Sequence, residues 1–401
     1  MSVSKVNNKL LILTKDAMCK SYLPIYGNTY WAGKTPNIDE LAQKGTVFNK
    51  LYTSAPSTVM AFRGIVTGKF AHETPYSDYI PMEIPETEDD LFYYASIRGY
   101  SCHIMWDAKW EHMVLRYGNC FGKRTVIHNI EGLNQPVGPH CDHKTFLKDN
   151  DLLLKRTIET LEREVQKIIE TGTKVLLWLH LPHVLSGRTG YGGDIDAFDQ
   201  CVGMLRKYFE DDNIWISADH GNMDGYNRKF SYGFDVYTPA IQIPLIAPKT
   251  EGLSHCDFNV SNVDMRSIVF ERKIPKRDYI YADCAYFAQP QRKIAILAHD
   301  FSYIFNKQGK KEEMYDLIFD SNERCNIARD YVFDKDRKLN VLIREVYFTP
   351  RWDERDKYLP EFRKELKKIW RNPSFLLEIR GRLLSHAKKI LVIARKILLK
   401  R

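Results

Sequence analysis

The sequence predicts an α/β fold: a mixed, mostly parallel β-sheet between helices, followed by a small C-terminal antiparallel subdomain and a helical tail. Short apolar runs rich in β-branched or aromatic residues alternate with helix-like stretches through the first part of the chain, which indicates parallel strands joined by helices. Beyond Pro275, strand-like runs follow one another directly, as in an antiparallel unit. With 401 residues, 44% of them hydrophobic, the chain is long enough to bury a large core.

Five apolar runs of strand length form the predicted main sheet. They cover residues 10–14, 103–106, 175–180, 214–217 and 243–247. Helix-like periodicity lies between them, at residues 37–45, 90–98, 151–170 and 194–209. In sheets of this kind chemistry gathers where the strands end, so the residues that follow these runs are the first candidates for a functional site.

The last part of the chain predicts three further units. Strand-like runs at 279–286, 293–298 and 302–306 predict the antiparallel subdomain, and a highly charged stretch at 351–371 predicts a helix. We therefore predict an α/β domain over 1–275, a small antiparallel subdomain over 276–345 packed on it, and a charged helix with an amphipathic tail helix over 346–401.

The net charge of +8 is concentrated at the C-terminus, where residues 372–401 hold eight basic side chains against one acidic one. The nearly neutral body argues against a nucleic-acid-binding domain. Within 375–401, apolar pairs and basic pairs both recur every seven residues, which predicts a helix with one apolar and one basic face. Such a helix suits an anionic membrane surface. The alternative is packing on the body or on a second subunit, which leaves an oligomer open.

Location is predicted from what the sequence lacks. The first apolar segment is only a strand long and has no basic region or cleavage site beside it, and no run of about 18 apolar residues is present. The eight cysteines are scattered without a C-x-x-C pair. We expect a cytoplasmic protein that is peripheral at the inner face of the membrane.

Candidate catalytic residues stand at strand ends and before a helix. Asp16 follows the first strand, and adjacent Asp219 and His220 follow the strand at 214–217, a pairing that suits a divalent metal ion. Thr58 precedes a helix-like stretch. Taken singly, Asp16 also fits a turn residue and Thr58 fits a helix N-cap.

Three segments in order identify a family. Residues 35–70, 216–225 and 313–328 read TPNIDELAQKGTVFNKLYTSAPSTVMAFRGIVTGKF, ISADHGNMDG and EMYDLIFDSNERCNIA. They resemble the sulfatase and phosphoglycerol or phosphoethanolamine transferase branch of the alkaline phosphatase superfamily. The resemblance implies an alkaline-phosphatase-like fold and an enzyme in which Thr58 is the nucleophile. It also implies one divalent metal ion, held by Asp16, Thr58, Asp219 and His220, with Mn²⁺ or Zn²⁺ expected and Ca²⁺ or Mg²⁺ as alternatives.

Two departures separate this chain from true sulfatases. Their C-x-P-x-R or S-x-P-x-R segment, whose first residue becomes formylglycine, is replaced by a segment that begins at Thr58, and a threonine cannot give that aldehyde. Their paired aspartates at the first strand become Asp16 and Ala17. Both changes favour the transferase-like and phosphatase-like branches, which use an unmodified threonine.

The resemblance also suggests substrate contacts. His183 and His180 occupy the family's Pro-His strand end, although His180 also fits a buried strand histidine. Lys109 lies in a segment similar to the sulfatase K-W-H segment, and Tyr232 stands where the family often has a further histidine.

The predicted function is transfer of a phosphoryl-linked substituent, of the phosphoglycerol or phosphoethanolamine type, from a phosphate-ester donor to a glycan or lipid acceptor through Thr58. Hydrolysis by a phosphatase, phosphodiesterase or sulfatase-type enzyme is the main alternative. A non-catalytic family member is the third.

Overall fold

The computed structural model describes residues 8–73, 86–111, 121–133, 143–172, 174–185, 192–284, 292–306, 311–328 and 352–371. The strands are β1 (Lys9–Lys15), β2 (Thr46–Phe48), β3 (Leu51–Tyr52), β4 (Ser101–Asp107), β5 (Thr125–Ile130), β6 (Val175–Leu181), β7 (Ile214–Ala218), β8 (Gln242–Ile243), β9 (Leu245–Ala247), β10 (His255–Cys256), β11 (Val260–Ser261), β12 (Ile280–Asp283), β13 (Lys293–Ala298), β14 (Phe301–Asn306) and β15 (Lys311–Asp316). The helices are α1 (Pro36–Lys44), α2 (Thr58–Thr67), α3 (Leu91–Ser96), α4 (His143–Glu170), α5 (Ile195–Leu205), α6 (Thr238–Ile241) and α7 (Trp352–Arg371).

Single turns complete the described chain. Short 3₁₀ helices lie at Lys20–Tyr22, Pro24–Tyr26, Ala71–Glu73, Ala108–Trp110, Asp211–Asn213, Tyr226–Arg228 and Asn262–Asp264, and a π-helical turn lies at Ser267–Glu271. None of the helices in the described ranges is both long and apolar enough to cross a membrane. The predicted amphipathic helix at 375–401 lies outside the described residues.

The main sheet has eight strands in the order β10-β2-β9-β7-β1-β6-β4-β5. Strand β1 lies between β6 and β7 and is parallel to both, and β4 and β5 continue the parallel part. Residues 10–15 of β1 are all buried, as expected of an apolar strand covered on both faces. The prediction of a mostly parallel sheet between helices is therefore confirmed.

The predicted single strand at 243–247 is wrong, because Pro244 divides it. Strand β8 ends at Ile243 and belongs to a three-stranded sheet with β3 and β11, whereas β9 begins at Leu245 and pairs antiparallel with β7 in the main sheet. Proline has no backbone N–H to donate to a strand ladder, so the chain changes sheets at this point.

The C-terminal part forms a four-stranded antiparallel sheet, β12-β13-β14-β15, as predicted. The fourth strand, KEEMYD, was not predicted because it lacks an apolar run. Helix α7 packs on this sheet, with the Tyr303 and Phe362 rings stacked at 5.4 Å. The boundaries at 275 and 345 stay predictions.

Aromatic packing fixes helix α2 against the main sheet. All ten residues of α2 are buried, which suits a helix that is largely apolar around its circumference. The Phe62 ring meets the Trp178 ring of β6 edge to face at 4.7 Å, a contact worth about 0.5–1.5 kcal/mol beyond the burial of its area. The beginning of α2 thus lies beside the carboxyl ends of β1, β6 and β7.

Candidate active site

Two neighbouring parallel strands carry the acidic residues. Asp16 directly follows β1, where its N–H donates to Leu181 O at 2.8 Å, and Asp219 directly follows β7. Between them, Ala17 adopts a left-handed conformation with φ of 52° and donates its N–H to Asp219 Oδ1 at 3.1 Å. A non-glycine residue in this region is strained, and here the strained turn brings the two carboxylates together.

Thr58 is the first residue of α2, and its hydroxyl lies in the same cluster. The Thr58 Oγ1 atom is 3.2 Å from His220 Nε2. The first N–H groups of an α-helix have no acceptor within the helix and carry a partial positive charge. The start of α2 therefore provides a favourable environment for a negatively charged ester beside the Thr58 hydroxyl.

The tautomer of His220 follows from its other hydrogen bond. Its Nδ1 atom is 2.8 Å from Gly221 O, and because a carbonyl only accepts, Nδ1 carries the hydrogen. In the neutral ring, Nε2 then presents a lone pair 3.4 Å from Asp219 Oδ2 and 3.6 Å from Asp16 Oδ1. A lone pair facing two carboxylates is repulsive unless a positive charge lies between them.

One further atom, His180 Nε2, joins these two carboxylate oxygens in supporting the same conclusion. Asp16 Oδ1, His180 Nε2 and Asp219 Oδ2 are buried and have no hydrogen-bond partner among the described residues. They lie within 4.8 Å of one another. Buried polar atoms without partners are costly, and carboxylate oxygens with imidazole nitrogens are suitable ligands for Zn²⁺ or Mn²⁺. These residues therefore fit a divalent metal ion, and we call Asp16, Thr58, His180, Asp219 and His220 the metal-site cluster.

His180 enters this cluster from within β6. It is fully buried, and its Nδ1 is 2.8 Å from Thr14 Oγ1, which also accepts the Trp178 indole N–H at 2.8 Å. The two lone pairs of Thr14 Oγ1 can accept both hydrogens, which leaves the Nε2 lone pair of His180 facing the cluster. Burial lowers the pKa of His180, although Asp219 and Asp16 oppose the shift. Its predicted role in substrate binding stays a prediction.

His183 lies at the edge of the cluster and keeps about a third of its side chain exposed. Its Nδ1 is 3.1 Å from Asp16 Oδ2, and because a carboxylate accepts, Nδ1 donates. Burial opposes ionisation of Asp16, but this hydrogen bond and the nearby histidines outweigh it, so the pKa of Asp16 is lowered. His183 is thus oriented by a predicted metal ligand and still reaches solvent.

The other two predicted substrate residues lie on the surrounding turns. Tyr232 packs on His220, with ring centroids 4.4 Å apart and the planes tilted by 35°. Lys109 is exposed on the Ala108–Trp110 turn, and it is the neighbouring Trp110 whose ring packs on His180, with centroids 4.4 Å apart. Substrate contacts by Lys109 and Tyr232 stay predictions.

Sequence reasoning did not find Trp110, nor Phe62, whose ring meets His180 edge to face at 4.7 Å. Phe62 lies four residues after Thr58 in α2, so its position on the same helix face was a usable signal. The signal for Trp110 was its place as the tryptophan of the segment similar to the sulfatase K-W-H segment, from which only Lys109 was predicted as a site residue. The metal-site cluster is thus covered by aromatic rings on several sides.

Comparisons with known proteins agree with this geometry. Residues 7–181 match the family model described as Sulfatase. Comparison with curated protein sequences finds no match. Among solved structures, the phosphonate monoester hydrolase of Agrobacterium radiobacter has 14% identity and a TM-score of 0.60, covering 84% of this chain and 94% of that one.

Two further structures are similar over most of their length. A 2-O GAG sulfatase has 15% identity and a TM-score of 0.58, covering 88% of this chain and 94% of that one. The protein Ps i-CgsB, solved with a neocarrahexaose, has 15% identity and a TM-score of 0.57, covering 92% of this chain and 94% of that one. At this identity the structures establish a common fold, and the family model adds the sequence relationship. Residues 7–181 are therefore similar in sequence to the Sulfatase family, and the described chain shares its fold with a GAG sulfatase and with a phosphonate monoester hydrolase.

Proposed function

We propose that Thr58 attacks the phosphorus of a phosphate ester and that the enzyme passes the phosphoryl-linked substituent to an acceptor hydroxyl. The observation that supports this most directly is the 3.2 Å separation of Thr58 Oγ1 and His220 Nε2 beside Asp16 and Asp219. A nucleophilic hydroxyl needs activation of this kind because it is otherwise too weak an acid near neutral pH.

Threonine favours phosphate esters over sulfate esters. Formylglycine is an aldehyde made from the CH₂ group of cysteine or serine, and oxidation of the Thr58 side chain would give a ketone instead. The hydrated aldehyde that sulfatases use is therefore inaccessible to this chain. Thr58 therefore keeps an unmodified hydroxyl, and this hydroxyl can form an ester with phosphorus.

The metal-site cluster would hold one divalent ion, which would lower the pKa of the Thr58 hydroxyl and offset the charge of the phosphoryl oxygens. His183, oriented by Asp16 and partly exposed, is placed to donate to a phosphoryl oxygen. The start of α2 adds backbone N–H groups for the same oxygens. Trp110 packs over His180 and Tyr232 packs over His220, and these rings limit the access of water to the metal-site cluster.

The proposed reaction has two displacements. In the first, a bond forms between Thr58 Oγ1 and phosphorus, the bond from phosphorus to the donor alcohol breaks, and that alcohol gains a proton as Thr58 loses one. In the second, an acceptor hydroxyl attacks the same phosphorus, loses its proton, and releases Thr58 with its hydroxyl restored. We propose a glycan or lipid as the acceptor, and an anionic membrane surface as a partner of residues 375–401.

Hydrolysis is the second candidate, with water in place of the acceptor. It is favoured by the similarity of the fold to a phosphonate monoester hydrolase and a sulfatase. The two reactions share the Thr58 ester and differ only in the second nucleophile. Turnover of a phosphodiester with and without added alcohols or glycans separates them, because a transferase forms the new diester and a hydrolase forms the monoester.

Mass spectrometry of the Thr58 ester tests the proposal. Full-length protein supplied with Mn²⁺ and a 4-nitrophenyl phosphodiester is quenched in acid, and we expect a phosphoryl-linked adduct on the peptide that contains Thr58. Thr58→Ala is expected to abolish the adduct and lower turnover at least ~1000-fold. Thr67→Ala is the matched control, because Thr67 is also buried in α2 but donates to Arg63 O at the other end of the helix. Undiminished turnover in Thr58→Ala would overturn the proposal.

A non-catalytic protein is the third alternative, motivated by Ala17 and Tyr232. Retention of the metal-site cluster argues against it. Purified protein that neither contains nor takes up a divalent ion at micromolar concentration would favour this alternative.

A further inference from the structure

A short segment beside the metal-site cluster carries aromatic side chains at alternate positions, Phe230, Tyr232 and Phe234. We call these three residues the aromatic rim. Tyr232 packs on His220, with ring centroids 4.4 Å apart, and His220 Nε2 is 3.2 Å from Thr58 Oγ1, so Tyr232 connects the rim to the site. Phe230 is 79% exposed and Phe234 is 51% exposed. Large apolar side chains exposed close together in the chain commonly mark a contact site.

Two backbone hydrogen bonds hold the residues on either side of Phe230. Met223 N donates to Ser231 O at 3.1 Å, and Gly225 N donates to Lys229 O at 2.7 Å. The Phe230 ring also packs closely on Gly225, where an added Cβ would lie 3.2 Å from a ring carbon. The exposed ring of Phe230 is therefore attached to a fixed turn.

A buried ion pair from the antiparallel sheet fixes the other end of the rim. Asp235, which follows Phe234, accepts from Lys229 Nζ at 2.7 Å and also from Lys293 of β13. Asp235 and Lys293 are both buried. Little conformational freedom remains to be lost when a ligand covers rings on an anchored segment, and this favours binding.

The polar residues around the rim indicate the chemistry of its ligand. Asp224, Asn227, Arg228 and Ser231 are all exposed within the same stretch of chain. A saccharide presents a C–H face that packs on an aromatic ring and hydroxyls that need donors and acceptors around it. An acyl chain instead needs a continuous apolar surface, and the exposed polar side chains of this stretch interrupt one.

We propose that Phe230 and Phe234 determine specificity by packing on a saccharide ring carried by the substrate, next to the phosphorus that Thr58 attacks. The inference rests on the proposed function, because it places the non-reacting part of a phosphate ester on the rim. It also gives the antiparallel sheet a role, since Lys293 positions the segment through Asp235.

Binding to an inactive variant tests the rim separately from turnover. Three 4-nitrophenyl phosphodiesters differ only in the second ester group, which is methyl, glucos-6-yl or n-octyl. Their dissociation constants are measured by calorimetry with full-length Thr58→Ala protein supplied with Mn²⁺. We expect the glucosyl diester to bind more tightly than the methyl diester. The double change Phe230→Ser and Phe234→Ser should weaken glucosyl binding about 10-fold relative to methyl binding.

Two further variants separate recognition from folding. Phe258→Ser is the matched control, because Phe258 is 48% exposed and lies elsewhere, with Lys276 Nζ 5.5 Å from its ring. Phe230→Trp retains an aromatic face and should restore most of the glucosyl affinity to a Phe230→Ser protein. Thermal unfolding of each variant reports its folding.

Each outcome decides the proposal. A selective loss of glucosyl binding supports it. An equal loss of binding for all three diesters indicates a structural role for the rim, and a selective loss of octyl binding indicates a lipid ligand. No loss of binding indicates that the rim does not contact the substrate. Each of these three results overturns the proposal. Failure of the wild-type protein to turn over any of the diesters would instead contradict the proposed function, whatever the binding data show.

Discussion

Lys15 and Asp194 form a buried ion pair, with Nζ 3.1 Å from Oδ1 and side-chain exposures of 2% and 1%. Lys15 precedes Asp16, and its Nζ also donates to His183 O at 2.7 Å. The second oxygen of Asp194 accepts from Leu185 N at 2.7 Å. The pair therefore fixes the backbone around His183 relative to Asp16, and this fixed relation sets the direction of the His183 ring.

Asp194→Asn should destabilise the protein and weaken substrate binding. The substitution leaves the Lys15 ammonium buried without its counter-charge, which costs about 3–5 kcal/mol in comparable pairs. Urea unfolding measures this loss, and KM measures the displacement of His183. Glu162→Gln is the matched control, because Glu162 is 28% exposed and its partner Lys207 is 61% exposed, so their pair should contribute under about 1 kcal/mol. Equal losses in the two variants would show that Lys15 is neutral or resolvated.

His180 and His183 should differ in their effect on metal content. His180 Nε2 lies with Asp16 Oδ1 and Asp219 Oδ2 in the buried cluster, whereas His183 is partly exposed and hydrogen-bonded to Asp16. We expect His180→Ala to lower the affinity for Mn²⁺ or Zn²⁺ at least 10-fold and His183→Ala to change it less. Elemental analysis after dialysis and metal-dependent shifts in Tm measure this without turnover.

Asp219→Asn provides the reference for loss of a metal ligand, and Asp224→Asn provides the control, because Asp224 is an exposed carboxylate outside the cluster that accepts from Tyr22. A His180→Ala protein with unchanged metal content and a raised KM would show that His180 contacts the substrate, as the sequence predicted.

A residue of this site could be predicted when its neighbours in the sequence mark it, and could not when its role depends on a residue far away in the chain. Asp16 and Asp219 could be predicted because each directly follows a strand, with His220 next to Asp219, and the carboxyl ends of parallel strands meet at one edge. Thr58 could be identified only with its surrounding segment, because a threonine at a helix start is ordinary. The contact of Lys15 with Asp194 joins residues 179 positions apart, and neither periodicity nor spacing indicates it.

The same difference between local and long-range signals decides which parts of the fold could be predicted. Strands β1 and β7 each contain a buried apolar run and were predicted, whereas β15 begins with three charged residues that are at least partly exposed and was not. Pro244 was visible in the sequence, but its effect depends on two sheets meeting at that point, which only the tertiary structure reveals.

The basic tail should bind anionic membranes. The sequence of residues 375–401 predicts an amphipathic helix, and each basic residue near an anionic surface contributes about 1 kcal/mol. Changing Lys388, Lys389, Arg395 and Lys396 to Gln should lower binding to vesicles rich in phosphatidylglycerol at least ~100-fold in co-sedimentation. Lys364→Gln with Lys367→Gln in α7 is the control for nonspecific charge. Unchanged binding by the tail variant would assign the tail to a protein contact.

The stability of the protein should depend on pH through Glu323. Burial raises the pKa of Glu323 to about 7 from an ordinary value of 4.5, although Thr238 N donates to its carboxylate at 2.8 Å. The folded state therefore holds this proton more tightly than the unfolded state. The resulting stabilisation is complete below pH 4.5 and is lost as the pH rises to about 7.

Glu323→Gln removes this titration while keeping an oxygen that can accept from Thr238 N. We expect the variant to gain stability relative to the wild-type protein between pH 5 and pH 8, by on the order of 2 kcal/mol, because only the wild-type protein must ionise a buried carboxyl group. Urea unfolding across this range measures the difference. Glu159→Gln is the control, since Glu159 is exposed and 4.0 Å from Lys155. A constant difference between Glu323→Gln and the wild-type protein from pH 5 to pH 8 would show that Glu323 titrates near its ordinary value, and that its contact with Thr238 outweighs its burial.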